Sequence, residues 1–131
     1  MITTAFYAGI FGLVYIILTV AVARERWRYR VGLGTGENCP RLEQIVRIHG
    51  NYIEYVPLGL ILMMLLETAG WSVVIIHILG GTLLLGRLFH MIGIYKTPGA
   101  SVARGLGMGF TLLMIIAASI LCLWSALHAF F

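Results

Sequence analysis

The sequence contains 131 residues, of which 60% are hydrophobic and only 11% are charged. Soluble domains carry about 25% charged residues, so this chain has too little charge for a water-exposed surface. It is predicted to be an integral membrane protein of one domain. Its net charge of +4 does not indicate nucleic-acid binding, because four arginines lie in one short run beside a membrane span and act there as a topology signal.

Four apolar stretches are long enough to cross a bilayer as α-helices, which takes about 20 residues each. They cover residues 2–23, 41–67, 71–95 and 102–130. The first is read as a retained span and not a cleaved signal peptide, because no positive charge precedes it and arginines follow it directly. The predicted fold class is therefore all-α, an integral membrane four-helix bundle.

The basic residues predict the orientation of the spans. Loops one and three hold the basic residues at the ends of the spans, namely Arg24, Arg26, Arg28, Arg30, Arg41, Lys96 and Arg104. Because basic loops stay in the cytoplasm, loops one and three are expected on the cytoplasmic side and both termini outside. We expect a multi-pass protein of a bacterial inner membrane.

The two cysteines are not expected to form a disulfide bond. Cys39 and Cys122 are expected near opposite membrane faces, on the order of 30 Å apart, which is beyond disulfide reach. No group of cysteines and histidines has metal-ligand spacing, so no metal site is predicted.

Backbone signals mark two helix features. Pro40 suits the first turn of the second helix. Gly105 and Gly109 form a small-residue pattern that lets helices approach closely, although such a pattern arises often by chance in a chain with 16 glycines.

One polar stripe stands out on the second span. Glu43, Arg47, Asn51 and Glu54 fall at i, i+4, i+8 and i+11, which is one face of an α-helix. A charge in the bilayer costs about 2.5–3.5 kcal/mol on insertion scales. The stripe is therefore predicted to face protein, a water-filled cavity or a ligand.

Further charged residues share the cytoplasmic half with this stripe. Arg87 and His90 lie on one face of the third span, and Arg104 begins the fourth. Because the arginines outnumber the nearby carboxylates, an anionic ligand is predicted. A buried network of structural ion pairs is the competing interpretation. Glu54 would either hold an ammonium group or pair with Arg47.

A family resemblance rests on two motifs. Glu43-x-x-x-Arg47-x-His49-x-Asn51-x-x-Glu54-x-x-Pro57 resembles the second-helix signature of the MAPEG family, the membrane-associated proteins in eicosanoid and glutathione metabolism. Arg87-Leu-Phe-His90 resembles the Arg-x-x-His of that family's third helix. The length, the four spans and the loop charges fit a bacterial-type member similar to microsomal glutathione transferase.

The resemblance implies a homotrimer with glutathione as co-substrate between subunits near the cytoplasmic side. A lipophilic small molecule or a lipid would enter from the bilayer. The residues expected to hold glutathione are Arg47, His49, Asn51, Glu54, Arg87, His90 and Tyr95. Arg104 resembles the fourth-helix arginine that lies near the sulfur, and it is the expected catalytic residue.

Two positions depart from the prostaglandin E synthase branch of the family. Gly105 stands where that branch has a serine, which argues against hydroxyl-assisted isomerase chemistry. Ile94 stands where that branch has a tyrosine, and Tyr95 follows one residue later, about 100° around the helix.

The predicted function is a glutathione-dependent membrane transferase or peroxidase acting on lipophilic electrophiles. The alternative is a non-enzymatic lipid-binding or scaffold member of the same fold. A small transporter is disfavoured, because no inverted repeat or second broken helix is evident.

Overall fold

The structure, a computed structural model, describes residues 1–97 and 99–130. Over these residues the chain folds into four α-helices, which are α1 (Ile2–Tyr29), α2 (Pro40–Thr68), α3 (Val73–Lys96) and α4 (Val102–Phe130). The predicted all-α fold class is confirmed. The predicted position of Pro40 in the first turn of α2 is confirmed as well.

The largest difference from the predicted spans is at the end of α1. The apolar run ends at Ala23, but the helix continues to Tyr29 and stops at Arg30, whose backbone is left-handed with φ 54°. Arginine is a strong helix former, and basic side chains in the last turn interact favourably with the helix dipole. The helix therefore extends past the apolar run, so loop one is shorter than the polar stretch that the sequence indicates.

Three of the helices, α1, α3 and α4, are long and apolar enough to cross a membrane. The remaining helix, α2, is 29 residues long, but its mean hydropathy is lowered by the polar stripe in its first half. Its second half is apolar and continues past Pro57, which lies inside the helix. The most polar helix, α2, contacts all three others, as α3 also does.

The helices pack as a central pair with one helix on each side. Helices α2 and α3 contact each other, and both α1 and α4 contact that pair, whereas α1 and α4 do not meet within the described residues. The core between them is aliphatic and aromatic; its most buried members include Phe11, Tyr52, Met63, Leu66, Ile76, Leu83 and Met114.

The closest packing is between α3 and α4. A Cβ on Gly86 would lie 2.6 Å from Thr111 Oγ1, and one on Gly93 would lie 2.5 Å from the Arg104 backbone nitrogen. A Cβ on Gly107 would collide with the backbone of His90. These glycines bring the two backbones together, and they thereby fix the positions of His90 and Arg104.

The predicted small-residue pattern is not part of this contact. A Cβ added to Gly105 or Gly109 would meet no atom within 4 Å. The two residues lie on the outer side of α4, while Gly107, midway between them, faces α3. Four-residue spacing identified a glycine-lined face of α4, but not the face that packs within the protomer.

The opposite end of the bundle is held by one carboxylate. Glu67, near the end of α2, accepts hydrogen bonds from the backbone N–H groups of Thr3 and Thr4, each at 2.9 Å. The first N–H groups of a helix have no partner within the helix, and a carboxylate there also favours the helix dipole. Glu67 therefore caps α1 from a neighbouring helix.

Candidate functional site

The polar residues of three helices meet in one groove. It is formed by α2, α3, α4 and the turn before α4, has a volume of about 500 Å³, and is called the α2–α3–α4 groove below. Its walls are Asn51, His90, Ala100, Ser101, Arg104, Gly105 and Met108. The structure thus brings together Asn51, His90 and Arg104, which are spread over more than fifty residues of the sequence.

The position of Arg104 in this groove is set by the first turn of α4. Its backbone N–H donates to Ser101 Oγ at 3.2 Å, which is the N-cap arrangement. Its backbone also packs directly against Gly93. These contacts fix the backbone from which the Arg104 side chain extends. No Asp or Glu oxygen of the described residues lies within 4 Å of its guanidinium.

Arg87 lies behind the groove wall, and only 1% of its surface is exposed. Its Nη1 donates to Asn51 Oδ1 at 2.6 Å and to the Asn51 carbonyl at 3.4 Å. Its Nε and Nη2 donate to Thr111 Oγ1 at 3.0 and 2.5 Å. The Tyr55 ring centroid lies 5.1 Å from its guanidinium carbon. Every contact of this buried cation is thus with a neutral group.

This arrangement leaves the groove with a net positive charge. No carboxylate of the described residues lies within 4 Å of Arg87 or Arg104, and none lines the groove. Burying a charge is costly unless it is paired. The hydrogen bonds of Arg87 satisfy its donors but leave its charge unbalanced. An anion in the groove would reduce that imbalance.

Arg47 and Glu54 lie on the exposed side of α2, one turn to either side of Asn51. Arg47 Nε donates to Glu43 Oε1 at 3.1 Å, and the two side chains are 67% and 51% exposed. Glu54 is exposed and has no ion-pair partner among the described residues. The hypothesis that Glu54 pairs with Arg47 is therefore wrong within one protomer, where Arg47 pairs with Glu43.

Two of the predicted glutathione contacts face away from the groove of their own protomer. His49 Nε2 lies 3.1 Å from Thr19 Oγ1, and the ring packs on Tyr15 at 5.3 Å between centroids. Tyr95 lies under the guanidinium of Arg41, whose carbon is 3.7 Å from the ring centroid. His49 is two residues from Arg47 and from Asn51, about 200° around the helix, which directs it toward α1.

The structure adds residues that the sequence reasoning missed. Thr111 is the main hydrogen-bond partner of Arg87, and Ser101 both caps α4 and lines the groove. Thr111 lies seven residues after Arg104, on the same face of α4. That spacing was visible in the sequence, but a threonine in an apolar helix commonly bonds its own backbone, as Thr111 also does through the Gly107 carbonyl at 2.9 Å.

No group of three or more metal-ligating side chains is present in residues 1–97 and 99–130. Cys39 and Cys122 are both free thiols. Neither cysteine lines the α2–α3–α4 groove.

The sequence profile of the MAPEG family matches residues 4–124 of the chain. The chain is also similar to Inner membrane protein YecN of Escherichia coli strain K12 and of Escherichia coli O6:H1. Each is 38% identical over 92 residues, which cover 70% of this chain and 70% of the relative. With a profile match over nearly the whole chain, and with four helices that carry the expected motif residues, the chain belongs to the MAPEG family.

Proposed function

We propose that the protein is a glutathione-dependent transferase or peroxidase of the inner membrane, acting on lipophilic electrophiles. The observation that carries the proposal is the cationic α2–α3–α4 groove, where Asn51, His90 and Arg104 converge in front of the buried Arg87. The inner-membrane location follows the similarity to Inner membrane protein YecN and the three long apolar helices.

The charges of glutathione fit those of the groove. The tripeptide has two carboxylates, one ammonium group and two amide bonds. Guanidinium groups bind carboxylates through paired, charge-assisted hydrogen bonds. Asn51 uses its Oδ1 to accept from Arg87, and its amide N–H groups remain for a peptide carbonyl. None of the described residues that line the groove is a carboxylate that could bind the ammonium group.

The exposed side of α2 offers a source for that carboxylate. Glu54 is ionisable, exposed and unpaired among the described residues of one protomer, at a depth where lipid contact would be costly. A second copy packed on this face would cover Glu54 and Arg47 together. We therefore propose a homotrimer in which glutathione binds between copies and His49 or Tyr95 contacts it from a neighbouring one.

Arg104 would supply the chemistry in this arrangement. A guanidinium beside the glutathione sulfur favours the thiolate over the thiol, and the thiolate is the nucleophile. In the transferase reaction the sulfur forms a bond to carbon and a leaving group departs with the bonding electrons. In the peroxidase reaction one lipid hydroperoxide and two glutathione molecules give one alcohol, one water and one glutathione disulfide.

Isothermal titration of the detergent-solubilised protein with glutathione tests the proposal. We expect binding at millimolar or lower concentration, and weaker binding of the glycine ethyl ester of glutathione, which lacks one carboxylate. Turnover of 1-chloro-2,4-dinitrobenzene would establish transferase chemistry, and loss of a lipid hydroperoxide would establish peroxidase chemistry. Absence of glutathione binding would overturn the proposal.

The alternative is a non-enzymatic lipid-binding or scaffold member. It is favoured by Gly105, which presents no hydroxyl to the groove, and by the open shape of the groove. Glutathione binding without turnover of either substrate class would support this alternative. Binding of a phospholipid head group in the groove, in place of glutathione, would support it further.

A further inference from the structure

A second cleft lies on the other side of the bundle. It is formed by the last turns of α1, the start of α2 and the end of α3, and its volume is about 380 Å³. Polar residues at its mouth are Arg24, Glu25, Arg41 and Tyr95. Its deeper wall includes Ile17, Leu18, Ile45 and Ile48. This cleft shares no residue with the α2–α3–α4 groove.

Glu25 is the unusual residue of this cleft. It is 7% exposed, and its Oε2 accepts no hydrogen bond from the described residues. The nearest cation is Arg28 Nη1, which is 3.9 Å away on a side chain that is 69% exposed. Buried carboxylates in proteins are normally hydrogen-bonded or closely paired. Glu25 therefore needs a hydrogen-bond donor that the described residues of the protomer do not provide.

Two guanidinium groups flank the same mouth. The guanidinium carbon of Arg41 lies 3.7 Å from the centroid of the Tyr95 ring, a contact that restricts its position, and Arg24 also lines the cleft. The mouth thus combines the carboxylate of Glu25, which needs a cationic donor, with the guanidinium groups of Arg24 and Arg41. A ligand that complements it carries an ammonium group close to an anionic group.

The walls below the mouth are apolar and run along the helix axes. Ile17 lies eight residues before Glu25, which is about 12 Å at 1.5 Å per residue. A neighbouring cleft of about 290 Å³ shares Leu18, Ile48 and Tyr95 with the first and is lined by apolar atoms. Lys96 lies at its edge. Two adjacent apolar channels therefore lead away from one charged mouth at the membrane interface.

We propose that this cleft binds a diacyl phospholipid with an ethanolamine head group. The ammonium group donates to Glu25, the phosphate is bound by Arg24 and Arg41, and the acyl chains occupy the two apolar channels. A choline head group carries the same charge but has no N–H to donate. A glycerol head group brings no ammonium group to Glu25. Tyr95, which the proposed function also assigns to glutathione, only supports Arg41 here, and none of the residues that line the α2–α3–α4 groove takes part.

Native mass spectrometry of the full chain in detergent tests the proposal. The protein is mixed with equal amounts of dioleoyl phosphatidylethanolamine, phosphatidylcholine and phosphatidylglycerol, and the retained lipid is measured. We expect about tenfold preference for phosphatidylethanolamine over each of the others, the factor that one charge-assisted hydrogen bond typically supplies. Equal retention of the three lipids, or preference for phosphatidylglycerol, would overturn the proposal.

Variants locate the preference. Glu25→Gln should abolish it, and Arg28→Gln, which removes the exposed neighbour, should leave it intact. Ala21→Phe should lower retention of all three lipids by filling the cleft without changing a charge. If Glu25→Gln does not fold, the comparison of the three lipids on the wild-type protein and the Ala21→Phe variant still test the proposal. If Glu25→Gln weakens self-association and leaves lipid retention unchanged, Glu25 pairs with a second copy and the proposal is wrong.

Discussion

Arg87 Nη1 donates to Asn51 Oδ1 at 2.6 Å, and this bond connects the buried cation of α3 to the groove wall on α2. Among the described residues, Asn51 is the only hydrogen-bond partner of Arg87 that also lines the groove. The side chain of Asn51 therefore stands between the guanidinium of Arg87 and the groove. Changing the charge of that side chain should change ligand affinity more than it changes folding.

Asn51→Asp tests this coupling. The carboxylate keeps the acceptor for Arg87 and converts a hydrogen bond between a cation and a neutral amide into an ion pair. We expect the folded state to be at least as stable as wild type in detergent. Glutathione affinity should fall by about tenfold or more, because the new charge competes with the carboxylates of the ligand. Titration calorimetry measures the affinity.

Asn51→Leu is the matched variant for this experiment. It removes the acceptor and leaves the Nη1 of Arg87 with only the long contact to the backbone carbonyl. Both stability and affinity should then fall. If Asn51→Asp binds glutathione as tightly as wild type, the positive charge behind the groove is not what attracts the ligand.

Thr111→Val tests the other half of the Arg87 environment. Valine has nearly the same shape, but it removes the oxygen that accepts from two guanidinium nitrogens. Leaving buried donors unsatisfied costs about 1–3 kcal/mol, and more for a charged group. We expect a matching loss of unfolding free energy, followed by circular dichroism during denaturation in a fixed detergent.

Thr82→Val is the control for that measurement. Thr82 Oγ1 donates only to the Ile78 carbonyl of its own helix, at 2.7 Å, so its loss leaves no buried charge unsatisfied. The control should change stability by a few tenths of a kcal/mol, as a mild surface change does. Equal losses in the two variants would show that Thr111 acts as an ordinary helix residue.

The sequence predicted the four helices because bilayer thickness determines the length of an apolar run that can span it. It also predicted that Asn51, His90 and Arg104 lie at similar depth, and the structure places all three in one groove. Depth follows from counting residues along an axis. Which neighbouring helix a residue contacts depends on how the helices pack. Residue spacing along a single helix does not determine that packing.

His49 and Tyr95 show this limit. Both share the depth of the groove, yet in the protomer His49 contacts α1 and Tyr95 contacts Arg41. The role of Thr111 could not be predicted either. The sequence does not distinguish a threonine that accepts hydrogen bonds from a buried arginine from one that bonds only to its own helix. Whether His49 and Tyr95 reach a ligand depends on a second copy, and their roles stay predictions.

Gly107→Ala tests the packing that positions His90. A Cβ there would lie 2.6 Å from the Gly86 carbonyl and would also meet the His90 backbone. The two helices must separate to admit it, and overpacking of this kind costs about 1–3 kcal/mol or more. We expect lower stability and, because His90 and Arg104 move apart, weaker glutathione binding.

Gly109→Ala is the matched substitution two residues along the same helix. Its Cβ would meet nothing within 4 Å, and alanine is about 1 kcal/mol more favourable than glycine inside a helix. Its stability should therefore equal or exceed that of wild type in an isolated protomer. Loss of stability at Gly109 alone would place the close contact on the outer side of α4, where a second copy would pack.

Arg104→Gln tests the proposed role of the guanidinium at the sulfur. Glutathione should still bind, since Asn51 and Arg87 are unchanged, but the ultraviolet band of its thiolate should disappear at neutral pH. Loss of one electrostatic stabiliser typically lowers a rate by about 100-fold, and we expect that loss for conjugation of 1-chloro-2,4-dinitrobenzene. The rate should recover as the pH passes about 8.5, where an unassisted thiol ionises.

Arg104→Lys, which keeps the cation, should restore part of the band, and Arg30→Gln, in exposed loop one, should change neither band nor rate. A full thiolate band in Arg104→Gln would assign activation of the sulfur to another residue, with His90, which also lines the groove, as the candidate.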